Sequence, residues 1–124
     1  MPTSQELFER YIYAGLTKNA ELQSSLFAAD GLYEVPFAAP GGVYPRRVQG
    51  REEIRTFFTE LHARGNTSGT PTDVRYVPHR TEDPAVFIAE TDAVVDDAPM
   101  SLVHIVRSAD GEITHLRDYF VLTP

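Results

Sequence analysis

The chain has 124 residues, with 18 acidic and 11 basic side chains, a formal net charge of −7 and no cysteine. That length suits one domain with a hydrophobic core, so we expect residues 1–124 to form a single domain. Without cysteine there are no disulfides and no thiolate chemistry. The acidic balance, with no basic run longer than Arg46-Arg47, argues against binding to nucleic acid or anionic membranes.

The sequence also lacks the features of a membrane or exported protein. No apolar run approaches the roughly 20 residues that a membrane helix needs. The N-terminus carries charges and has no apolar core of a signal peptide. A cytoplasmic location is therefore expected.

Three segments have the pattern of helices. Thr3 and Glu6 match a capping box and predict a helix over residues 4–17. Asn19 can cap a second, short helix that continues through Leu26 and Phe27, and Asp30-Gly31 is expected to end it. The clearest helix spans residues 51–64, with apolar residues at i, i+3, i+4 and i+7 and with Gly65 after its end.

Alternation of apolar residues predicts the strands. They are residues 32–37, 73–79, 85–95, 99–107 and the segment that follows the Asp110-Gly111 turn. Residues 38–50, rich in glycine and proline, are predicted to form a loop long enough to act as a lid or rim. The order of elements is an α+β pattern, in which helices pack on one side of a curved antiparallel sheet that can enclose a cone-shaped cavity.

The last strand holds an acidic residue where an apolar one is expected. Asp118 shares a face with Leu116 and Phe120, whereas Ile113, His115, Arg117 and Tyr119 alternate onto the other face. A carboxylate between large apolar neighbours is costly unless it is paired, hydrogen-bonded or protonated. Asp118 is therefore the main candidate for a functional carboxylate.

Two other strands supply the remaining candidates. In residues 85–95, Glu90 and Asp92 share one face with Val86 and Ile88, and this face is assigned to the cavity. The plain alternative is that both acids lie exposed near a strand end, beside the Asp96-Asp97 turn. His104 and His115 are assigned to the face opposite Asp118. No histidine pair has ligand spacing, so no metal site is predicted.

Three stretches resemble a known superfamily. They are residues 26–36 (LFAADGLYEVP), 49–57 (QGREEIRTF) and 110–120 (DGEITHLRDYF). They resemble the nuclear-transport-factor-2-like proteins, in the SnoaL-like and ketosteroid-isomerase-like branch. The resemblance implies a cone-shaped, curved antiparallel (mixed) sheet packed on three N-terminal helices. It also implies a homodimer formed through the sheet, for which Leu102, Val106 and Ile113 would supply outward apolar contacts.

Enzymes of this superfamily can be compared with the chain residue by residue. Ketosteroid isomerases use a tyrosine that Tyr11 matches, but Val35 and Val103 occupy the positions of their two carboxylates, so that mechanism is rejected. The limonene-epoxide-hydrolase-like enzymes use residues that Tyr33, Asp92 and Asp118 resemble. Val35 and Glu90 replace their asparagine and arginine. The resemblance therefore implies a related pocket with a different reaction.

These observations predict a small-molecule enzyme that performs cofactor-free acid–base chemistry on an apolar, polyketide- or terpenoid-like substrate. The reaction would be isomerisation, cyclisation, or hydrolysis of an epoxide or another group. Asp118 and Asp92 would form the acid–base pair, and Tyr33 would donate a hydrogen bond. The predicted substrate-binding residues are Tyr11, Val35, Phe37, Phe57, Val86, Ile88, Glu90, Val103, Leu116 and Phe120.

Two alternatives involve no catalysis. The cone could bind a small ligand without transforming it. It could instead be filled by its own aromatic side chains, which would leave a dimer-forming scaffold. A large empty cavity at Asp118 would argue against the scaffold, and a raised carboxylate pKa would favour the enzyme over the binding module.

Overall fold

The computed structural model describes residues 1–64, 71–95 and 97–121. Gly65 and Asp96, which were predicted to end a helix and to begin a turn, lie outside the described residues. The elements are α1 (Ser4–Leu16), α2 (Ala20–Ser25), β1 (Phe27–Glu34), β2 (Arg47–Gln49), α3 (Arg51–Ala63), β3 (Thr72–Arg80), β4 (Val86–Val95), β5 (Ala98–Ala109) and β6 (Glu112–Tyr119).

The sheet and the helices form two layers around one core. The strand order is β2-β1-β6-β5-β4-β3, with β1 parallel to β6 and the other neighbouring pairs antiparallel. The apolar faces of the helices pack on one face of this sheet, where Phe8, Ile54 and Phe58 are buried with Phe27 and Leu116. The expected α+β architecture with a mixed sheet is confirmed.

The helices begin where the sequence indicates. At the start of α1 the Thr3 hydroxyl accepts a hydrogen bond from the Glu6 N–H, and the Glu6 carboxylate accepts one from the Thr3 N–H. The Asn19 side chain caps α2 by accepting from the Leu22 N–H. These caps satisfy backbone donors that would otherwise lack partners, which fixes where each helix starts.

The expectation that Asp30-Gly31 ends the second helix is wrong. α2 ends at Ser25 and the chain is already extended at Phe27. Asp30-Gly31 lies within β1, where the pairing with β6 changes register between Phe27 and Leu32. A Cβ on Gly31 would lie 3.0 Å from the Ile113 carbonyl oxygen. The glycine therefore permits a close approach of two strands in a bulge and does not reverse the chain.

A second bulge sets the geometry of the β5–β6 hairpin. Next to the turn, Ser108 pairs with Ile113, but further along Arg107 pairs with His115, so Thr114 is the extra residue. Ile113 is thereby turned into the core, where it is fully buried. The one-residue shift also places His104 opposite Asp118. Without the bulge, the same two-residue turn would have placed Val103 there.

Five predicted cavity residues lie on the outer face of the sheet, which is the face away from the helices. This part of the prediction is therefore wrong. In β4 the buried residues are Phe87, Ala89, Thr91 and Ala93, and in β5 they include His104 and Val106. Both faces of these central strands carry apolar side chains, so alternation alone does not show which face is inside. The residues that point to the outer face are Val86, Ile88, Glu90, Asp92 and Val103.

The residues chosen for the dimer contact are also inside. Val106 and Ile113 are fully buried, and Leu102 packs against the same core. They therefore cannot supply outward contacts, and the homodimer remains a prediction. Among the described residues, no helix is both long and apolar enough to cross a membrane.

Candidate functional site

Asp118 is the centre of a buried hydrogen-bond network. Its side chain belongs to β6, and the residue is 4% exposed. Its Oδ2 accepts hydrogen bonds from the Tyr11 hydroxyl at 2.9 Å and the Tyr33 hydroxyl at 3.1 Å. Its Oδ1 lies 2.6 Å from His104 Nδ1. An ionised carboxylate only accepts hydrogen bonds, so donors from α1, β1 and β5 together satisfy it.

His104 extends this network across the sheet. Its ring is 2% exposed and packs against the ring of Phe8, with centroids 5.0 Å apart. When Nδ1–H donates to Asp118, Nε2 is left to interact with the Thr91 hydroxyl, 2.9 Å away. A neutral imidazole would accept from Thr91, and an imidazolium would donate to it. A continuous polar chain therefore runs from Thr91 through His104 to Asp118.

The two tyrosines of the network are held in their protonated form. Burial, followed by the negative charge of Asp118, raises the pKa of Tyr11 well above its usual value. Burial raises the pKa of Tyr33 well above its usual value too, and the nearby Tyr11 and Asp118 contribute. Both phenols therefore remain hydrogen-bond donors across the physiological pH range.

A cluster of aromatic rings lies between this network and the surface. Tyr33 stacks on Phe57 with centroids 5.9 Å apart, and Phe57 contacts Tyr44 at 5.7 Å. The Tyr44 ring packs edge to face against the Phe120 ring, with centroids 5.0 Å apart. Tyr44 and Phe57 also line an open depression of about 600 Å³ formed by residues 39–46 and α3. Asp118 does not line this depression, so the rings separate it from the solvent side.

Solved structures with the same architecture come from several kinds of protein. No protein-family model matches the sequence, and a search of curated proteins finds no match. A candidate isomerase from Bacillus subtilis is 21% identical, covers 95% of this chain and 86% of its own, and has a TM-score of 0.77. A candidate polyketide cyclase from Pseudomonas putida is 17% identical, covers 98% of this chain and 94% of its own, and has a TM-score of 0.73. A limonene-epoxide-hydrolase-like epoxide hydrolase from Mycobacterium tuberculosis is 19% identical, with 95% and 82% covered and a TM-score of 0.68.

The chain has the nuclear-transport-factor-2-like fold. An NTF2-like protein from Cytophaga hutchinsonii, 17% identical with 98% and 92% of the chains covered, aligns with a TM-score of 0.65. At these identities the similarity establishes the fold, and the function has to be inferred from the site.

Within this nuclear-transport-factor-2-like fold, most of the predicted site residues in or next to α1, β1, α3 and β6 belong to the core on the helix-packed side of the sheet, where Asp118 is also buried. Tyr11 and Tyr33 bind it directly. The others that share its side of the sheet are Val35, Phe57, Leu116 and Phe120. Phe37 is an exception: it is 60% exposed and packs against Tyr119, so its prediction as a pocket residue is wrong.

The predicted pair of carboxylates does not form. Asp92 is exposed on the outer face and accepts a hydrogen bond from the Ser101 hydroxyl at 2.6 Å. It lines a separate cavity of about 710 Å³ together with Arg75. Glu90, also exposed, contacts His79. Neither acid shares the surroundings of Asp118, and the ionisable side chain that contacts Asp118 within this network is His104.

The assignment of His104 to the face opposite Asp118 is wrong, because its side chain lies against Asp118, and Thr91 was not among the candidates. Both are polar residues at buried strand positions, and they share one face in the β4–β5 pairing. The buried positions of β4 are Phe87, Ala89, Thr91 and Ala93, so the inner face of this strand carries no charged side chain. The epoxide-hydrolase resemblance implied an arginine and an aspartate on that face, and the residues assigned to them, Glu90 and Asp92, lie on the other face. No group of three or more His, Asp or Glu side chains among the described residues is arranged to hold a metal ion.

Proposed function

We propose that the chain is a small-molecule enzyme in which Asp118 moves a proton on an apolar substrate without a cofactor. The observation that carries this proposal is the Asp118 carboxylate, buried and held by donors from Tyr11, Tyr33 and His104. Burying a polar chain of this kind is costly compared with apolar packing. Held in this way, the carboxylate has one fixed orientation, as a general base requires.

The proposed reaction begins at a carbon next to a carbonyl group. The Asp118 carboxylate removes a proton from that carbon and becomes a carboxylic acid, while the substrate becomes an enolate. The hydroxyl of Tyr33 or Tyr11 turns from Asp118 to the enolate oxygen and stabilises its charge. Return of the proton to a different carbon completes an isomerisation. Attack of the enolate carbon on a second carbonyl, with the proton delivered to the new alkoxide, completes a cyclisation.

Isomerisation and cyclisation fit the geometry better than hydrolysis by paired carboxylates. Among the described residues Asp118 has no carboxylate partner, since Asp92 and Glu90 lie on the other face of the sheet. His104 takes the place of the second group, and its Nδ1–H orients the carboxylate. The solved structures named as a candidate isomerase and a candidate polyketide cyclase support the same choice, as proteins of this fold.

A second candidate is a non-catalytic ligand-binding or dimerisation module. It is favoured by the aromatic rings that fill the space between Asp118 and the depression. The outer face of the sheet also carries apolar side chains, of which Val103 is 36% exposed. In this alternative the polar chain specifies packing, and a homodimer forms through the outer face.

Turnover by matched variants distinguishes the two candidates. A panel of 1,3-diketones, unsaturated ketones and epoxides is assayed with the wild type, Asp118→Asn and Asp92→Asn. We expect Asp118→Asn to lower kcat/KM by about 10²–10⁴-fold, the usual contribution of a general base. Asp92→Asn should match the wild type because its side chain lies on the outer face. Equal losses in both variants, or turnover that Asp118→Asn leaves intact, would reject the proposed role.

A further inference from the structure

Tyr44 is held differently from the other tyrosines near Asp118. Tyr11 and Tyr33 donate hydrogen bonds to the carboxylate. The Tyr44 ring is instead fixed by its contacts with Phe57 and Phe120, at 5.7 and 5.0 Å. Its hydroxyl makes no hydrogen bond to a residue in the described part of the chain, although the hydroxyl of a buried tyrosine usually has a hydrogen-bond partner.

The loop that carries Tyr44 is fastened at its two ends. The Val35 N–H donates to the Arg46 carbonyl at 3.0 Å, and Arg46 Nε donates to the Ala38 carbonyl at 3.2 Å. Between these tethers the segment 39–45 contains Gly41, whose φ of +76° few other residues adopt. Tyr44 can therefore leave its slot without breaking a hydrogen bond of the sheet or of α3.

The slot of Tyr44 connects the surface depression with the buried network. Tyr44 and Phe57 line the depression of about 600 Å³ on one side. On the other side Phe57 stacks on Tyr33, whose hydroxyl contacts Asp118. A phenol ring thus lies between the depression and the rings that cover the carboxylate, and its aromatic neighbours suit a flat six-membered ring.

We propose that Tyr44 is a displaceable plug that occupies the ligand site in the absence of ligand. The ligand is a planar, unsaturated ring compound that carries an oxygen, such as a phenol or the enol of a ring-fused ketone. Its ring takes the slot between Phe57 and Phe120, and its oxygen points to the hydroxyl of Tyr33 and to Asp118. This inference rests on the proposed function and names the substrate class of the same site.

Binding of 2-naphthol to the wild-type protein tests the plug. The carboxyl-carbon signal of Asp118 and the ring signals of Tyr44 are followed by NMR during the titration. We expect saturable binding that shifts both signals, and weaker binding of 2-decalol, which has the same carbon skeleton without planar rings. Absence of binding, binding that leaves either signal in place, or equal affinity for 2-decalol would overturn the proposal.

Variants of Tyr44 test whether the side chain competes with the ligand. In the wild type only the molecules in which Tyr44 has left the slot can bind the ligand, which weakens the apparent affinity. Tyr44→Ala removes this competition, so it should bind 2-naphthol about tenfold more tightly. Tyr44→Trp, a larger plug, should bind it several-fold more weakly, by the same competition. Tyr13→Ala, at a tyrosine that is 62% exposed, is the matched control and should bind as the wild type does.

The results of these variants also separate the plug from the proposed catalysis. If Tyr44→Ala fails to fold, Tyr44→Trp decides, and affinity equal to the wild type contradicts the plug. Naphthol binding requires no turnover. If 2-naphthol displaces Tyr44 but no carbonyl substrate is converted, the plug stands and the catalytic proposal fails. If Asp118-dependent turnover occurs and no ring compound displaces Tyr44, the plug alone fails.

Discussion

Asp118 and His104 face each other across the β5–β6 hairpin, with Oδ1 and Nδ1 2.6 Å apart and side-chain exposures of 6% and 3%. On the other face of the sheet, Glu34 and His115 form a pair of the same chemical type. There the side chains are 21% and 27% exposed. The two pairs differ in how far water can replace a lost partner, which makes one the natural control for the other.

His104→Ala should destabilise the fold strongly. It leaves the buried Asp118 Oδ1 without its hydrogen-bond partner, and an unsatisfied buried acceptor costs about 1–3 kcal/mol, or more when it belongs to a charged group. His115→Ala leaves Glu34 with Arg117, whose Nε lies 3.4 Å away, and with access to water, so its cost should stay below about 1 kcal/mol. Urea unfolding of both variants measures the two free energies. Similar values would show that His104 does not satisfy a buried charge.

Tyr11→Phe and Tyr33→Phe should couple, because both hydroxyls donate to the same Oδ2. Each single change removes one hydrogen bond to a charged group, which is worth about 1.5–3 kcal/mol. The double variant should lose more than the sum, since the oxygen then has neither phenol as a partner. A double-mutant cycle of unfolding free energies gives the coupling. Strict additivity would mean that the two hydroxyls do not share the oxygen.

His62, which links α3 to Gln23 of α2, should make the free energy of unfolding depend on pH. Burial, followed by the positive charge of Lys18, lowers the pKa of His62 below its usual 6.5. The unfolded chain therefore binds a proton at a higher pH than the folded chain does. Stability should be full above pH 6.5 and should fall as the pH drops through the lowered pKa.

His62→Gln removes this titration and serves as the comparison. As the pH falls below 6.5, the unfolding free energy of the wild type should decrease relative to that of the variant. The Gln23 side chain, 2.8 Å from His62 Nε2, can bond the new amide. A difference that stays constant between pH 7.5 and 5 would contradict the lowered pKa.

Local patterns predicted most of the helices and the position of Asp118. Thr3, Asn19 and the apolar spacing of residues 51–64 specify helices through contacts within a few residues. The alternation in β6 placed Asp118 inside, among large apolar neighbours. These features depend on a short stretch of chain, so the sequence alone contains them.

The rest of the site depends on pairing between distant strands. The bulge at Thr114 changes the partner of Asp118 from Val103 to His104, and no local pattern signals it. The inner face of β4 is set by its pairing with β5, because both of its faces carry apolar residues. Asp92 was for this reason placed in the cavity although it lies outside. Single-residue shifts of register invert the faces of a strand and thereby decide which side chains meet.

Deuterium uptake at C1 of 2-tetralone in D₂O, followed by NMR, tests whether Asp118 acts as a base. This ring-fused ketone has an acidic C–H next to its carbonyl, and the exchange measures proton removal without requiring the natural substrate. We expect the wild type to accelerate the exchange over buffer, Asp92→Asn to match the wild type, and Asp118→Asn to exchange about 10²-fold or more slowly. Exchange by Asp118→Asn at the wild-type rate, or no acceleration by the wild type, would contradict a base at Asp118.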